Sequence, residues 1–206
     1  MHIGILGTGN VGKAVAAGAA AAGHDVVFGS RTPEAGRTGL ELPVVGVREA
    51  AEHGEIVVNA IGGNASLALL PTLKESLRGK VLLDIAIDLT PDLDLLHVDA
   101  SLAEQLQEAL PDTRVVKSLC TMDSVVMAQP EKTLSGPSTV FISGADQAAK
   151  AQVDALLEDL GWRAGTRVDL GGIATARGQE HMALMFIAVA GGLGHHVFNV
   201  HLVTAD

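Results

Sequence analysis

The chain has 206 residues, of which 48% are hydrophobic and 18% are charged, and its formal net charge at pH 7 is −10. This composition is that of a folded chain with a sizeable core, and the acidic balance argues against nucleic acid as a partner. The single cysteine, Cys120, excludes an internal disulfide and predicts a cytoplasmic location. The start MHIGILGTGN lacks the features of a signal peptide, and the apolar stretch 182–203 contains three glycines and three histidines. We therefore expect no membrane association and read that stretch as a buried helix or helix pair.

Predicted strands and helices alternate along the chain. The apolar run 2–6 precedes a glycine turn and an alanine-rich helix, and DVVFGS at 25–30 is the second strand. This alternation predicts a doubly wound, mostly parallel Rossmann-type α/β sheet. We expect residues 1–168 to form this domain and residues 169–206 to form a small C-terminal helical segment. Further predicted strands are 43–46, 55–63, 80–88, 113–119, 138–144 and 162–171, and further predicted helices are 47–54, 66–79, 101–111 and 146–161.

The glycine turn GTGNVG at 7–12 has the spacing G-x-G-x-x-G. It follows the first strand and opens a helix, which is the context that indicates a dinucleotide site. We expect Gly7 to permit the turn, Gly9 to let the backbone approach a pyrophosphate, and Gly12 to let the helix lie close to the strand. The pyrophosphate would then lie at the helix N-terminus, where free N–H groups favour negative charge.

The end of the second strand predicts which dinucleotide binds. An NAD site carries an acid about 20 residues beyond the glycines, where it holds the ribose 2′-hydroxyl. Here the corresponding residues are Ser30 and Arg31, followed by Thr32 and Arg37. An acid would repel a 2′-phosphate, whereas a hydroxyl and a guanidinium can hold it through charge-assisted hydrogen bonds. The predicted cofactor is therefore NADP(H).

Five motifs in this order resemble those of the deazaflavin-dependent NADP reductases, the NADPH:coenzyme F420 oxidoreductases and their bacterial relatives. They are GTGNVGKAVA, FGSR, VVKSLCTM, TVFISGAD and DLGGIATAR. The resemblance covers nearly the whole chain, although the first motif is shared with pyrroline-5-carboxylate and imine reductases. Two positions depart from the pattern of many relatives, Ile87-Asp88 and Cys120.

The resemblance implies hydride transfer between NADP(H) and coenzyme F420 as co-substrate. It also implies a homodimer in which the C-terminal helices meet. The positions that it assigns to NADP(H) are Thr8, Asn10 and Val11 at the phosphates, Ser30 and Arg31 at the 2′-phosphate, and Ala60, Ile61 and Gly62 near the nicotinamide ribose.

Direct hydride transfer requires two rings held face to face in a dry pocket, and it requires no catalytic side chain or metal. We expect an apolar acceptor pocket that includes Cys120 and Met122, although ordinary core packing is an alternative reading of each residue. Further candidates for its lining are Ile61, Leu119 and Met185.

Several polar residues have open interpretations. Asp84 and Asp88 end a predicted strand, where they could position a ribose, move a proton, cap a helix or face solvent. A pair of Glu180 with Arg177 or His181 is expected to anchor the last helix. The histidines at 195, 196 and 201 lack the i, i+4 spacing of metal ligands, so no metal is expected there.

Two other functions remain open at this point. The protein could reduce another small acceptor, such as a flavin, chelated ferric iron or an imine, or it could sense NADPH without catalysis. About 38 residues follow the predicted sheet, too few for the long helical dimerisation domain of imine reductases.

Overall fold

A computed structural model of the chain describes residues 1–35, 39 and 41–205. Within these residues the strands are β1 (His2–Leu6), β2 (Asp25–Ser30), β3 (Val44–Gly46), β4 (Ile56–Asn59), β5 (Val81–Asp84), β6 (Arg114–Ser118), β7 (Val140–Gly144) and β8 (Arg167–Gly171). The helices are α1 (Asn10–Ala21), α2 (Val47–His53), α3 (Gly63–Leu69), α4 (Lys74–Leu77), α5 (Leu102–Ala109), α6 (Ser124–Ala128), α7 (Pro130–Thr133), α8 (Gln147–Asp159) and α9 (Ala176–Leu193).

The strands form one sheet in the order β3-β2-β1-β4-β5-β6-β7-β8. Neighbouring strands are parallel except for β6 and β7, which are antiparallel. The predicted doubly wound, mostly parallel sheet is therefore confirmed. The chain first builds outward from β1 to β3 and then returns to β4 on the other side of β1. Ligands of such sheets bind at the carboxyl ends of the strands beside this reversal.

Both faces of the sheet are covered, as the continuous apolar runs of its central strands require. Along β1, Ile3 and Ile5 join one core cluster with residues of α1 and α8, while Leu6 joins the cluster on the opposite face. The side chains alternate because successive residues of a strand point to opposite faces. Trp162 lies in the first cluster and donates its ring N–H to the carbonyl of Met127 at 3.0 Å.

Most predicted elements are present, although one predicted helix is divided and two short helices were not predicted. The helix predicted at 66–79 is divided into α3, a 3₁₀ turn at Leu70–Leu73 and α4, and Pro71 lies at the start of the turn. The helix predicted at 101–111 has its expected capping box, since Ser101 and Glu104 exchange hydrogen bonds. The sequence prediction did not include α6 and α7.

The C-terminal stretch is not the buried helix or helix pair that its hydropathy predicts. Helix α9 ends at Leu193 and is followed by Gly194, which has a left-handed φ of 71°, and residues 195–205 form no helix. The N–H of Thr139 donates to the carbonyl of Val200 at 2.9 Å. Only one side of α9 packs on the domain, so Leu193 and Met185 are exposed. Among the described residues, no helix is both long and apolar enough to cross a membrane. The division at residue 168 stays a prediction.

Candidate dinucleotide and acceptor site

The glycine turn joins β1 to α1 at the reversal of strand order. Gly7 has a φ of 120°, and a Cβ there would lie 2.4 Å from the carbonyl oxygen of Ala60. A Cβ on Gly12 would lie 2.1 Å from the carbonyl oxygen of Gly7, so α1 can pack this closely only with glycine. Gly9 faces open space, and no side chain caps α1. The backbone and the first N–H groups of α1 are therefore accessible to an anionic ligand.

A cleft of about 590 Å³ runs from this turn to the end of β2. Ser30 is the last residue of β2, and its Oγ accepts a hydrogen bond from the backbone N–H of Thr32 at 3.1 Å. Arg31 is exposed beside it, and both residues line the cleft. Asn10 is exposed at the first position of α1, and Arg37 lies outside the residues that the structure describes. The cleft lining consists of Gly7, Thr8, Gly9, Gly29, Ser30, Arg31, Thr32, Val47, Ala60, Ile61, Gly62, Ala65, Ala68 and Leu69.

An apolar cavity of about 340 Å³ adjoins the cleft. Ala60, Ile61 and Gly62 line both spaces, so the segment after β4 is a wall that the cleft and the cavity share. Four parts of the chain complete the cavity: the start of α1, the segment after β5, the segment from Cys120 into α6, and α9. The lining consists of Val11, Ala60, Ile61, Gly62, Ile85, Ala86, Ile87, Leu89, Cys120, Met122, Met127, Ala183, Phe186 and Ile187.

The structure distinguishes among the candidates for this lining. Cys120 and Met122 are buried in the cavity wall, whereas Leu119 is buried in the core and does not line the cavity. The interpretation of Met185 as a lining residue is wrong, because its side chain is 57% exposed. Helix α9 presents Ala183, Phe186 and Ile187 to the cavity, and residue 185 falls on another face of the helix.

A buried ion cluster lies behind the cavity wall. The Nζ of Lys117 lies 2.9 Å from Asp84 Oδ2 and 2.7 Å from Glu180 Oε1, and it also donates to the carbonyl of Ala86. The side chain of Lys117 is 0% exposed. Burial alone would lower the pKa of Lys117, but the neighbouring carboxylates outweigh burial and hold it above its ordinary value. Lys117 therefore stays charged and links two walls of the cavity, the segment at Ala86 and helix α9.

The ion cluster excludes two of the roles considered for Asp84, a solvent-facing side chain and a helix cap. Asp84 is wholly buried, and its Oδ1 accepts hydrogen bonds from Asn59 Nδ2 at 2.8 Å and from the N–H of Ala86 at 3.3 Å. Asp84 therefore neither faces solvent nor caps a helix. Asp88 is also buried, with an oxygen 3.8 Å from His97 Nε2.

Sequence reasoning missed Lys117, although a signal was present. A lysine in an otherwise apolar buried strand needs an acidic partner, because an unpaired buried charge is costly. Asp84 ends the neighbouring strand, and the two residues are register partners on β5 and β6. Pairing the acid at one strand end with the cation on the adjacent strand would have found the cluster.

Helix α9 is anchored by charged groups, but not through the expected pair within the helix. Arg177 Nη2 lies 2.6 Å from Glu104 Oε1 on α5. Glu180 points inward to Lys117 and accepts the N–H of Leu102 at 3.0 and 3.1 Å. Arg177 lies at the rim while Glu180 faces the sheet, so each residue pairs with a different element.

The three C-terminal histidines have separate contacts. His196 Nδ1 lies 2.7 Å from Asp123 Oδ2, and His201 Nδ1 lies 3.3 Å from Thr139 Oγ1. The ring of His195 lies edge-on to Phe198 with a centroid separation of 6.3 Å. Their side chains therefore point to different partners.

The glycine turn is accessible to a phosphate, the cleft ends at Ser30 and Arg31, and an apolar cavity adjoins the cleft. Together these features define a dinucleotide-dependent oxidoreductase of the doubly wound class. The profile of the family described as "NADP oxidoreductase coenzyme F420-dependent" matches residues 2–88. A crystal structure from Arthrobacter sp. FB24, provisionally assigned as an F420-dependent NADP-reductase, is 37% identical with a TM-score of 0.92, covering 99% of this chain and 100% of that one. The chain belongs to this family and is an NADP-dependent oxidoreductase.

Two curated relatives extend the comparison. The F420-dependent NADP reductase of Methanocaldococcus jannaschii is 26% identical over 211 residues, which is 92% of each protein. Metalloreductase STEAP3 of Rattus norvegicus is 30% identical over 190 residues, which covers 90% of this chain but 37% of that longer protein. The family relationship therefore spans the whole chain, including the segments that form the apolar cavity.

Proposed function

We propose that this protein transfers a hydride between NADP(H) and the deazaflavin coenzyme F420. The observation that carries the proposal is the junction between the dinucleotide cleft and the apolar cavity, which share Ala60, Ile61 and Gly62. A nicotinamide at this junction would face a ring held in the cavity. The family description and the name of the M. jannaschii relative both contain coenzyme F420.

The residues of the cleft fit NADP(H). Gly7, Thr8 and Gly9 offer backbone to the pyrophosphate, with Asn10 and Val11 at the start of α1. Ser30 and Arg31 would bind the 2′-phosphate through a hydroxyl and a guanidinium, with Arg37 as a further predicted contact.

The residues of the cavity fit a reaction that needs no side-chain acid or base. Of the described residues that line it, Cys120 is the one with a titratable side chain, and burial raises its pKa to about 12. The thiol is therefore neutral at physiological pH. Bound NADPH and deazaflavin would supply the hydride donor and acceptor, while the lining, including Met122, excludes water and orients the rings.

We also propose a cytoplasmic homodimer. A cysteine that is buried as a free thiol is compatible with the reducing cytoplasm. The exposed apolar side chains of α9 and the following segment, including Leu193 and Val203, would be covered by a second copy. Sedimentation of the purified protein tests this assembly directly, and a monomer at micromolar concentration would contradict it.

The hydride transfer is tested by mixing the protein with NADPH and oxidised F420 and following the deazaflavin absorbance. We expect bleaching with NADPH and little with NADH. NADPH that binds without bleaching F420 would contradict the proposed acceptor. Free flavin and a ferric chelate serve as parallel acceptors, the latter because of the likeness to the rat metalloreductase.

A matched pair of methionine variants tests the location of the acceptor. Met122 lines the cavity, while Met185 is exposed on α9. We expect Met122→Ala to change the KM for F420 severalfold without changing the Kd for NADPH, and Met185→Ala to change neither. Equal effects of the two substitutions would place the acceptor elsewhere.

A further inference from the structure

The amino-terminal edge of the sheet carries a cluster of two imidazoles and one carboxylate, formed by His2, Asp25 and His53. His2 begins β1 and Asp25 begins β2, and the two are register partners in this parallel pair. His53 is the last residue of α2. Three elements far apart in the sequence therefore hold these side chains together at one surface.

The three donor atoms are close enough for one ion to reach all of them after small side-chain adjustments. His2 Nδ1 lies 2.8 Å from Asp25 Oδ2, and His53 Nε2 lies 3.5 Å from the same oxygen. One ligand atom from each residue lies within 4.8 Å of the other two. Tetrahedral zinc with bonds of about 2.0–2.2 Å separates its ligand atoms by about 3.3–3.6 Å. The 3.5 Å separation lies within this range, and the 2.8 Å separation, a hydrogen-bond distance, would lengthen by about 0.5 Å, so small side-chain adjustments would close the site.

We propose that His2, Asp25 and His53 bind a divalent transition-metal ion of the zinc class. Two imidazoles and one carboxylate are the ligand types that such ions prefer, and water can complete the coordination because the side chains are 57%, 58% and 25% exposed. The two rings meet edge-to-face with their centroids 5.1 Å apart, and His53 Nε2 also lies 3.3 Å from the backbone carbonyl oxygen of Asp25, a contact that a bound ion would replace.

The site is separate from the dinucleotide cleft. His2 is the first residue of β1 and Gly7 follows its last residue, so a strand of this length separates them by about 15 Å. A bound ion would join β1, β2 and α2 and would stabilise the fold rather than take part in hydride transfer. Glu55 adds negative charge nearby, because its carboxylate accepts the backbone N–H of His2 at 2.9 Å.

The test is calorimetric titration of the chelator-treated full chain with Zn²⁺, with the absorbance of Co²⁺ as a report of coordination. We expect one ion per chain and a Kd that rises at least about tenfold in both His53→Gln and Asp25→Asn. The matched control is His196→Gln, which removes an imidazole from the pair with Asp123 and should leave the affinity unchanged.

Two results would overturn the proposed metal site. One is absence of binding by the wild-type chain at about 100 μM Zn²⁺, a concentration at which even a weak three-ligand site should fill. The other is an unchanged affinity in His53→Gln, which alters a partly exposed helix end and should fold normally even if Asp25→Asn does not. If Zn²⁺ raised the thermal stability of the wild type but not that of His53→Gln, the metal site would be supported without any measurement of enzymatic activity.

Discussion

The two ends of the active cleft are built in different ways. The dinucleotide end comes from short contiguous stretches, the turn 7–12 and the end of β2, and it offers backbone groups and an exposed arginine. The acceptor end is assembled from the segments that follow β4, β5 and β6 together with α9, and a fully buried lysine joins two of these parts. Recognition of the dinucleotide is therefore a local property of the chain, whereas the acceptor cavity is a product of tertiary packing.

The largest effect should come from removing the buried cation of the acceptor end. Lys117→Met leaves Asp84 and Glu180 buried without their partner, so we expect the free energy of unfolding to fall by about 3–5 kcal/mol in chemical denaturation. The protein that remains folded should show a raised KM for F420 and an unchanged Kd for NADPH.

The control for this variant is Arg78→Met, which removes an exposed cation 2.8 Å from Glu75 and 3.4 Å from Asp112. We expect this change to cost far less stability than Lys117→Met, because exposed ion pairs contribute little. If the two variants lost similar stability, the lysine cluster would not hold the acceptor end together in the way we describe.

A second comparison separates folding from binding within the glycine turn. Gly12→Ala would place a Cβ 2.1 Å from the carbonyl oxygen of Gly7, so we expect about 3 kcal/mol lower stability as α1 is displaced. Gly9→Ala adds its Cβ in open space, so stability should fall by less than about 1 kcal/mol while NADPH binding weakens. Full NADPH affinity in Gly9→Ala would show that the pyrophosphate does not approach this backbone.

The same contrast explains what the sequence could predict. The strand–turn–helix order and the sheet follow from local periodicity, and Ser30 and Arg31 follow from their distance beyond the glycines. The cavity wall could be predicted only in part, since which face of α9 is covered depends on how the helix crosses the sheet. Met185 was misplaced for that reason, because hydropathy cannot distinguish two apolar faces of one helix.

Substitution of Arg31, the exposed cation of the dinucleotide end, tests the proposed 2′-phosphate site. We expect Arg31→Ala to raise the Kd for NADPH by about 10- to 100-fold, as the loss of charge-assisted hydrogen bonds to a phosphate implies, and to leave the Kd for NADH nearly unchanged. Fluorescence titration with both cofactors measures this ratio. Arg163→Ala, which removes an exposed arginine paired with Glu131, should affect neither. Equal losses for NADPH and NADH would contradict a 2′-phosphate site at Arg31.

The smallest effect concerns how α9 is held at the rim of the acceptor end. The hydrogen bond from Arg177 lowers the pKa of Glu104 from 4.5 to about 2, so the pair contributes stability above pH 4.5. That stability should be lost as the pH falls from 4.5 towards 2, because the unfolded chain takes up the proton first. Arg177 is half exposed, so solvent screening keeps the contribution of this pair small.

Glu104→Gln keeps the side-chain length and a capping acceptor for Ser101 but removes the charge. We expect this variant to lose about 1 kcal/mol at pH 7 and to have a flatter dependence of unfolding free energy on pH between 4.5 and 2. The exposed Glu108 on the same helix provides the control, Glu108→Gln, which should follow the wild type. If both variants kept the wild-type slope, the ion pair would not hold α9 against α5, and Glu180 with Lys117 would be the principal polar anchor of the cavity wall.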